Sequence, residues 1–267
     1  MVQLVDSTWL DQNLANSNVH LVDSRPLVKY LSGHIPGAVN LPLWSVLDKV
    51  TLGLHSETQI SESLSHAGIT TAEKVVVCDD FDGQSAAFLA WVLEYLGHRD
   101  VAILSDYIGS WASSGRELLY RPVKVQPRTF ESNPRTDVRA RADSLRGTTG
   151  VEVYDLRSAD EFLGKIATES RTGHLPRATN LPWTKLLGGK DLFLKPSVQL
   201  EEVFAHSGVG HADRIVTYCS YGPRAAIGFV ALQQAGYQNV QVYDGSFHDW
   251  SHRPDLPVEG EGLQIEL

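Results

Sequence analysis

Short runs of β-branched and other apolar residues alternate with longer stretches of helical periodicity along the chain, and turn residues separate them. In the first half this pattern predicts strands over 19–23, 38–41, 75–78 and 101–104, and helices over 59–66 and 84–96. In the second half it predicts a strand over 215–218 and a helix over 225–235, with Gly236 just past its end. Alternation of this kind indicates an α/β fold in which helices cover both faces of a parallel sheet.

The chain contains one internal repeat. The segment GHIPGAVNLP, which begins at Gly33, returns as GHLPRATNLP at Gly173, with seven of ten positions identical at an offset of 173 − 33 = 140 residues. A proline-bearing segment with little apolar periodicity, 121–135, separates the two copies. We therefore expect two domains, 1–120 and 136–267, each a parallel sheet with helices on both faces, related by pseudo-twofold duplication and joined by a linker.

Composition restricts the classes of function. The 267 residues carry 23 basic and 32 acidic side chains, a formal net charge of −9. Affinity for nucleic acid comes mostly from basic patches on phosphates, so this balance argues against a nucleic-acid binder. No apolar run approaches the roughly 18 residues that a membrane-spanning helix needs, and the first residues lack the basic and apolar regions of a secretory signal. We expect a cytoplasmic protein with no membrane partner.

The loop after the predicted strand of the second half is the strongest candidate for chemistry. Ligands of open α/β sheets lie beyond the carboxyl ends of strands, and Cys219 stands there, just before a helix. Free amides and aligned peptide dipoles at a helix N-terminus favour a thiolate, the nucleophilic form of cysteine. Gly222 can curl main-chain amides around the sulfur, and Arg224 offers a cation for an anionic substrate. Cys219 is therefore the candidate nucleophile, and Ser220, Tyr221, Gly222 and Arg224 are candidate substrate-binding residues.

The first half offers an internal control. The position that matches Cys219 by strand register is Asp79, which opens an acidic loop, 79–82. A carboxylate cannot perform thiol chemistry, and an acidic loop repels anions. Cys78, the other cysteine, matches Tyr218 inside the strand, so we interpret it as a buried, inert thiol. We expect only the second half to react, and we expect the acidic loop to be solvated.

Several residues that occur in both halves have structural interpretations. The histidines of the repeated motif are expected to hold turns by hydrogen bonds, and the tryptophans to be core or domain-interface residues. The acid–arginine pairs are expected to be buried ion pairs, with an arginine of the first half reaching across the domain interface towards the substrate as the alternative. These residues are His34, His174, Asp23, Arg25, Asp155, Arg157, Trp111 and Trp250. The ten histidines show no zinc-ligand spacing beside Cys219, and the calcium-loop pattern is absent, so we expect no metal and no cofactor.

Together these features resemble the tandem-domain rhodanese family of sulfurtransferases over essentially the whole chain. The resemblance rests on the paired Gly-His-[Ile/Leu]-Pro-x-Ala motifs, the Asp-x-Arg after the first strand of each half, the strand that enters the Cys219 loop, and VYDGSF at 242–247. It implies an inactive first copy, with Asp79 where the active copy has cysteine. It also implies that Cys219 takes sulfur from a small-molecule donor, becomes a persulfide, and passes the sulfur to cyanide, a thiol or a reduced thiol protein.

The resemblance leaves the sulfur donor open. Relatives that prefer 3-mercaptopyruvate usually read Cys-Gly-[Ser/Thr]-Gly-Val-Thr in the loop, and thiosulfate-preferring ones read Cys-Arg-Lys-Gly-Val-Thr. The loop here, CSYGPR from Cys219, fits neither, because Tyr221 replaces both the hydroxyl residue and the lysine. Arg224 is expected to supply the missing cation, and Arg171 matches the region from which the family contacts a donor carboxylate. We favour a thiosulfate-type donor, with 3-mercaptopyruvate as the alternative.

Two further functions compete with a sulfurtransferase. Related folds bind phosphate with a Cys-x5-Arg loop, as phosphatases and arsenate reductases do. The interval from Cys219 to Arg224 is Cys-x4-Arg, which fits a single sulfur better than four oxygens. A non-catalytic persulfide carrier or regulatory module would keep the same loop without turnover. A carrier passes on one equivalent of sulfur, whereas an enzyme passes on many.

Overall fold

The chain forms two compact units. The computed structural model describes residues 1–80, 82–147, 149–189, 192–210 and 213–260. The first unit comprises Met1–Arg135 and Leu187–Lys195, and the second comprises Thr136–Leu186 and Pro196–Leu267. Among the described residues, no helix has the length and apolar character that crossing a membrane requires.

A five-stranded parallel sheet forms the centre of the first unit. Its strands are β1 (Gln3–Val5), β2 (Val19–Asp23), β3 (Val39–Asn40), β4 (Lys74–Cys78) and β5 (Val101–Leu104). Their order across the sheet is β1-β5-β4-β2-β3, and every pair is parallel. The helices are α1 (Ser7–Asn13), α2 (Leu27–Leu31), α3 (Glu57–His66), α4 (Gln84–Tyr95) and α5 (Tyr107–Ser113).

The second unit repeats this architecture. Its strands are β6 (Arg139–Ala140), β7 (Val151–Asp155), β8 (Thr179–Asn180), β9 (Arg214–Tyr218) and β10 (Val240–Tyr243). They form a second five-stranded parallel sheet in the order β6-β10-β9-β7-β8. The helices are α6 (Ala159–Phe162), α7 (Ser197–His206), α8 (Pro223–Gln234) and α9 (Ser246–Ser251).

The predicted α/β architecture and the predicted elements are confirmed, with ends that differ by at most two residues. The strand predicted over 215–218 is Arg214–Tyr218, and the helix predicted over 225–235 is Pro223–Gln234. The pattern missed β1 and β6, which extend the sheets at one edge. These strands have 3 and 2 residues, too few to show an alternation of apolar and polar positions.

The helices that follow β4 and β9 fix the positions of the Asp79 loop and the Cys219 loop. α4 packs on β4 and β5, and α8 packs on β9 and β10. Both helices are apolar on most sides and buried over most of their length, as helices wedged between a sheet and its neighbours must be. Gly228 lies where α8 approaches the sheet, and a Cβ there would stand 3.1 Å from Leu156. Tight packing therefore sets where the N-terminal end of α8 lies.

The structural interpretations of the residues common to both halves are confirmed. His34 donates from Nδ1 to the carbonyl of Tyr30 at 2.9 Å, and His174 donates to that of Phe162 at 2.8 Å. Each imidazole also stacks on the ring of that same residue, at 3.8 and 3.7 Å between centroids. These histidines therefore stabilise turns.

The ion pairs and the tryptophans belong to the interior of each unit. The ion pairs are Arg25–Asp23 at 2.7 Å and Arg157–Asp155 at 2.6 Å, with all four side chains buried. Both indoles are buried as well, and each donates its N–H to a main-chain carbonyl at 2.8 Å. These are Trp111 and Trp250. The repeated residues thus maintain the fold of both units.

Candidate active site

Cys219 lies at the carboxyl end of β9, directly before the turn into α8. Tyr218 and Cys78 pair with equivalent aspartates of β7 and β2, so the strand register equates Cys219 with Asp79, as the sequence predicted. Cys219 is only 1% exposed. The candidate nucleophile is therefore a shielded sulfur beside the N-terminal end of a buried helix.

The turn between β9 and α8 curls around the sulfur. The Gly222 amide donates to Sγ of Cys219 over 3.2 Å. Gly222 has a φ of 114°, in the region that favours glycine, which explains why this position carries no side chain. Pro223 begins α8, where its missing N–H leaves no hydrogen bond unmade. The loop thus directs a main-chain donor at the sulfur.

The start of α9 holds the loop from its other side. The Cys219 amide donates to Oγ of Ser246 at 3.1 Å, and the Phe247 amide donates to the Cys219 carbonyl at 2.9 Å. The His248 amide donates to the Ser220 carbonyl at 2.9 Å. Ser246 has a φ of 54°, and a left-handed conformation costs a non-glycine residue of order 1–3 kcal/mol. Sequence reasoning assigned Ser246 no role, although the VYDGSF string contained it.

Arg224 is paired with a carboxylate that sequence reasoning missed. Its Nη1 and Nη2 donate to the two carboxylate oxygens of Glu161, each at 2.9 Å, and Nη2 also donates to Oγ of Ser220 at 2.6 Å. Glu161 reaches this position from α6, whose N-cap, Ser158, forms a capping box with it. The Ser-x-x-Glu spacing at 158–161, which is typical of a capping box, was the sequence feature that could have indicated a helix start bearing Glu161. The guanidinium thus stands beside the loop with its charge balanced.

Both groups of this pair stay ionised. Burial opposes the charge of Glu161, but hydrogen bonds from Arg224 and from the Ser158 amide outweigh it and lower the pKa of the carboxyl to about 2. Burial also opposes the charge of Arg224, yet the bond to Glu161 and the nearby Cys219 raise the pKa of the guanidinium. Arg224 is therefore a permanent cation near the sulfur.

The two remaining candidate residues occupy different surroundings. Tyr221 is partly exposed in the loop itself. Arg171 lies outside the loop and donates from Nε and Nη2 to main-chain carbonyls in and after the end of α9, at 2.9–3.2 Å. These carbonyls belong to Trp250, Ser251, Arg253 and Leu256. Arg171 therefore anchors the segment after α9, and these contacts do not include the Cys219 loop.

The equivalent site of the first unit is filled by its own side chains. Asp79 accepts hydrogen bonds from the Asp80, Ser85 and Ala86 amides, at 2.7, 3.0 and 3.1 Å. Phe193 packs over the start of α4, where a Cβ on Gly83 would lie 2.3 Å from its ring. The Asp79 carboxylate therefore occupies the main-chain amides that could otherwise bind an anion in this unit.

The expectation that the acidic loop is solvated is wrong for Asp79. This side chain is buried. Burial, with the like charges of Asp82 and Asp80, raises the pKa of its carboxyl to about 7, although the hydrogen bonds from the Asp80 and Ala86 amides lower it. Asp80 is more exposed and pairs with Arg25 at 3.3 Å. Phe81, which the loop also contains, lies outside the described residues. Hydrogen bonding to main-chain amides draws Asp79 inward, and the sequence showed only its charge.

Metal ligands were not expected anywhere in the chain. Within the described part, atoms of Glu169, His248 and His252 lie within 4.8 Å of one another, close enough to hold an ion. Cys219 is not part of this group. His248 lies on α9 and His252 is its C-cap, and the first residues of this helix contact the Cys219 loop.

Comparison with known proteins agrees with the geometry. A family model described as a rhodanese-like domain matches residues 6–114 and 138–253. A thiosulfate sulfurtransferase of Corynebacterium glutamicum is 30% identical over 275 residues, which cover 96% of this chain and 90% of that protein. The sulfur carrier protein TtuD of Thermus thermophilus is 28% identical over 274 residues, covering 96% of this chain and 95% of TtuD.

Solved structures share the fold at lower sequence identity. The anaerobic ergothioneine biosynthesis enzyme from Chlorobium limicola, in complex with trimethyl histidine, matches with a TM-score of 0.87 at 21% identity, over 96% of this chain and 70% of that one. Identity this low shows a common fold and nothing of the substrate. The two family matches span most of the chain, so the chain belongs to the rhodanese family, as a sulfurtransferase with two rhodanese-like domains in tandem.

Proposed function

We propose that the protein moves a sulfane sulfur from thiosulfate, or a related donor, to cyanide or a thiol acceptor through a persulfide on Cys219. The observation that carries this proposal is the buried Sγ with the Gly222 amide 3.2 Å away, at the N-terminal end of α8. A persulfide anion needs N–H donors and shelter from water, and this loop offers the Gly222 amide and a buried position. The corresponding loop of the first domain holds a carboxylate, which supports an inactive first copy.

The cycle consists of two displacements at sulfur. The Cys219 thiolate attacks the outer sulfur of thiosulfate, a new S–S bond forms, the S–S bond of the donor breaks, and sulfite leaves with the electron pair. Cyanide then attacks the terminal sulfur of the persulfide, thiocyanate forms, and the electron pair of the broken S–S bond returns to Cys219. A thiol acceptor takes the terminal sulfur in the same way. Neither step needs an oxidant or a cofactor.

The other loop residues bind or position the donor in this proposal. Gly222 donates to the sulfur, while Ser220 and Tyr221 line the loop. Arg224 attracts an anionic donor, although Glu161 balances much of its charge. We assign Arg171 to the same substrate-binding set through the segment after α9 that it anchors.

Thiosulfate is our preferred donor, and 3-mercaptopyruvate is the alternative. A permanent cation beside the sulfur suits a compact dianion, which is why Arg224 favours thiosulfate. The measurement is kcat/KM for each donor with cyanide as the common acceptor. We expect the larger value for thiosulfate, and a larger value for 3-mercaptopyruvate would reverse the assignment.

A persulfide carrier is the second candidate function, since one relative, TtuD, is named a sulfur carrier protein. In that role the acceptor would be a reduced thiol protein. The two functions differ in turnover: a carrier delivers one equivalent of sulfur per chain, whereas an enzyme delivers many. Counting thiocyanate formed per chain with excess thiosulfate and cyanide separates them.

Domain limits and location complete the proposal. We place the inactive domain at 1–120, the linker at 121–135 and the catalytic domain at 136–267. A cytoplasmic location suits the chemistry, because a reducing compartment keeps a catalytic thiol free, and both cysteines are free here.

Mass spectrometry tests the central claim. The protein is treated with thiosulfate, digested without reductant, and its cysteine peptides are weighed. We expect the Cys219 peptide to gain the mass of one sulfur atom and to lose it when cyanide is added. An unchanged Cys219 peptide in a protein that still forms thiocyanate would refute the persulfide.

A further inference from the structure

We propose that Glu169, His248 and His252 form a binding site for a divalent transition-metal ion such as Zn²⁺, separate from the Cys219 thiol. Each residue offers one ligand atom, and these atoms lie within 4.8 Å of one another. Two imidazoles and a carboxylate are a ligand set that zinc accepts, with a fourth position left for water or another ligand. The site goes beyond the proposed sulfur transfer and does not depend on it.

The two histidines are spaced to share one ion. They are four residues apart, on α9 and at its C-cap, so that their side chains lie on the same face. Their ring centroids are 4.6 Å apart. His252 donates from Nδ1 to the His248 carbonyl at 2.7 Å, which leaves the lone pair of its Nε2 available. A main-chain acceptor for the second ring nitrogen is a common way of orienting a metal-binding imidazole.

Glu169 provides the negative charge. Its side chain is only 9% exposed and accepts a hydrogen bond of 2.8 Å from Nδ1 of His248. A zinc ion can take the place of that hydrogen, because the ring proton of a neutral imidazole can move to Nε2. Zinc–ligand distances of about 2.0–2.2 Å require ligand atoms somewhat more than 3 Å apart. His252 is exposed, so a modest rotation of its side chain closes the site.

The arginines next to these residues in sequence direct their hydrogen bonds to other groups. Arg253, beside His252, is balanced by Asp249 at 2.9 Å and by Asp143 at 3.4 Å. Arg171, two residues from Glu169, donates to four main-chain carbonyls. A bound ion would connect Glu169, in the segment before Arg171, to α9, whose first residues contact the Cys219 loop.

Zinc titration of the Cys219→Ser protein is the test, because that variant removes the thiolate that would otherwise bind zinc. Binding is followed by calorimetry at neutral pH, and Co²⁺ replaces Zn²⁺ for spectroscopy. We expect one ion per chain and a cobalt ligand-field spectrum without a thiolate charge-transfer band. A Cys219→Ser protein that binds no zinc would overturn the proposal.

Further variants locate the site within that background. His252→Ala and Glu169→Gln should each weaken zinc binding by about tenfold or more. The matched control is His206→Ala: His206 is also exposed and also donates from Nδ1 to the carbonyl four residues earlier, at 2.6 Å, but it lies on α7. Thermal unfolding without metal checks that each variant is folded. Unaltered affinity in His252→Ala, or an equal loss in His206→Ala, would place the ion elsewhere.

Discussion

Glu161 determines how much of the positive charge of Arg224 is presented at the Cys219 loop. The carboxylate holds both ends of the guanidinium, and the guanidinium in turn holds the Ser220 hydroxyl. A cation in such a pair fixes the shape of its surroundings and presents less net charge to an arriving anion than an unpaired arginine would. At the residue scale, the contacts of Arg224 therefore fix the position of Ser220 in the loop, and they reduce the net charge that Arg224 presents.

The Glu161 carboxyl should make stability depend on pH. Its pKa falls from 4.5 to about 2 on folding, so its contribution is complete above pH 4.5 and is lost as the pH falls towards 2. Glu161→Gln should remove about 2 kcal/mol of that pH-dependent stability, after allowance for screening by solvent and salt. The measurement is the free energy of unfolding by urea across this pH range.

The matched control for Glu161→Gln is Asp160→Asn. Asp160 is the neighbouring carboxylate on α6, and its side chain is 57% exposed. The Asp160→Asn protein should therefore show the same dependence of stability on pH as the parent protein. Equal slopes for Glu161→Gln and the parent protein would show that the Arg224 pair does not hold the carboxyl ionised.

At the scale of elements, a glycine with positive φ lies just outside each end of α8. Gly222 precedes its first residue with φ 114°, and Gly236 follows its C-cap with φ 83°. The two glycines solve the same backbone problem, since a side chain is strained at either position. Only Gly222 also aims an amide at Sγ of Cys219. Substituting each glycine in turn therefore separates the effect of backbone strain on stability from the effect of the Gly222 amide on the sulfur.

Gly222→Ala and Gly236→Ala should both lower the free energy of unfolding, by about 1–2 kcal/mol. Gly222→Ala should in addition slow sulfur loading of Cys219 by about tenfold, because a shifted amide no longer meets the sulfur. Gly236→Ala should load sulfur at the parental rate. Stopped-flow loading with thiosulfate and urea unfolding are the measurements, and equal loading rates in the two variants would contradict a role for the Gly222 amide.

At the scale of the whole molecule, two copies of one architecture differ in whether the loop after the central strand is available. Cys219 in one unit is met by a main-chain donor, whereas Asp79 in the other consumes three amides. Cys78 lies inside β4, where burial and then the charge of Asp23 raise the pKa of its thiol. The chain therefore has two cysteines and one site suited to sulfur chemistry.

Cys219→Ser should abolish turnover, a loss of more than about a thousandfold, with the fold retained. Cys78→Ala is the control: it should keep most of the turnover and lose about 1 kcal/mol of stability, because it removes only buried packing. Thiocyanate formation and thermal unfolding are measured for both. Substantial turnover in Cys219→Ser would show that the sulfur travels by another group.

Local pattern sufficed for much of the fold and for selecting Cys219 as the candidate nucleophile. Periodicity located β4, α4, β9 and α8 to within two residues, and the internal repeat indicated two equivalent sheets. Strand register alone was enough to equate Cys219 with Asp79. Such features depend on neighbours along the chain, which a sequence shows directly.

Partners that are distant along the chain were decided by the tertiary structure. Glu161 meets Arg224 across 63 residues, Ser246 meets Cys219 across 27, and Glu169 meets His248 across 79. Apolar and polar periodicity determines which face of an element is buried, but only the packing of the elements determines which buried polar groups meet. The sequence by itself therefore determined two α/β repeats and one candidate nucleophile. Tertiary packing decided which groups hold that thiol, which carboxylate balances the arginine beside it, and which side chains come together near α9.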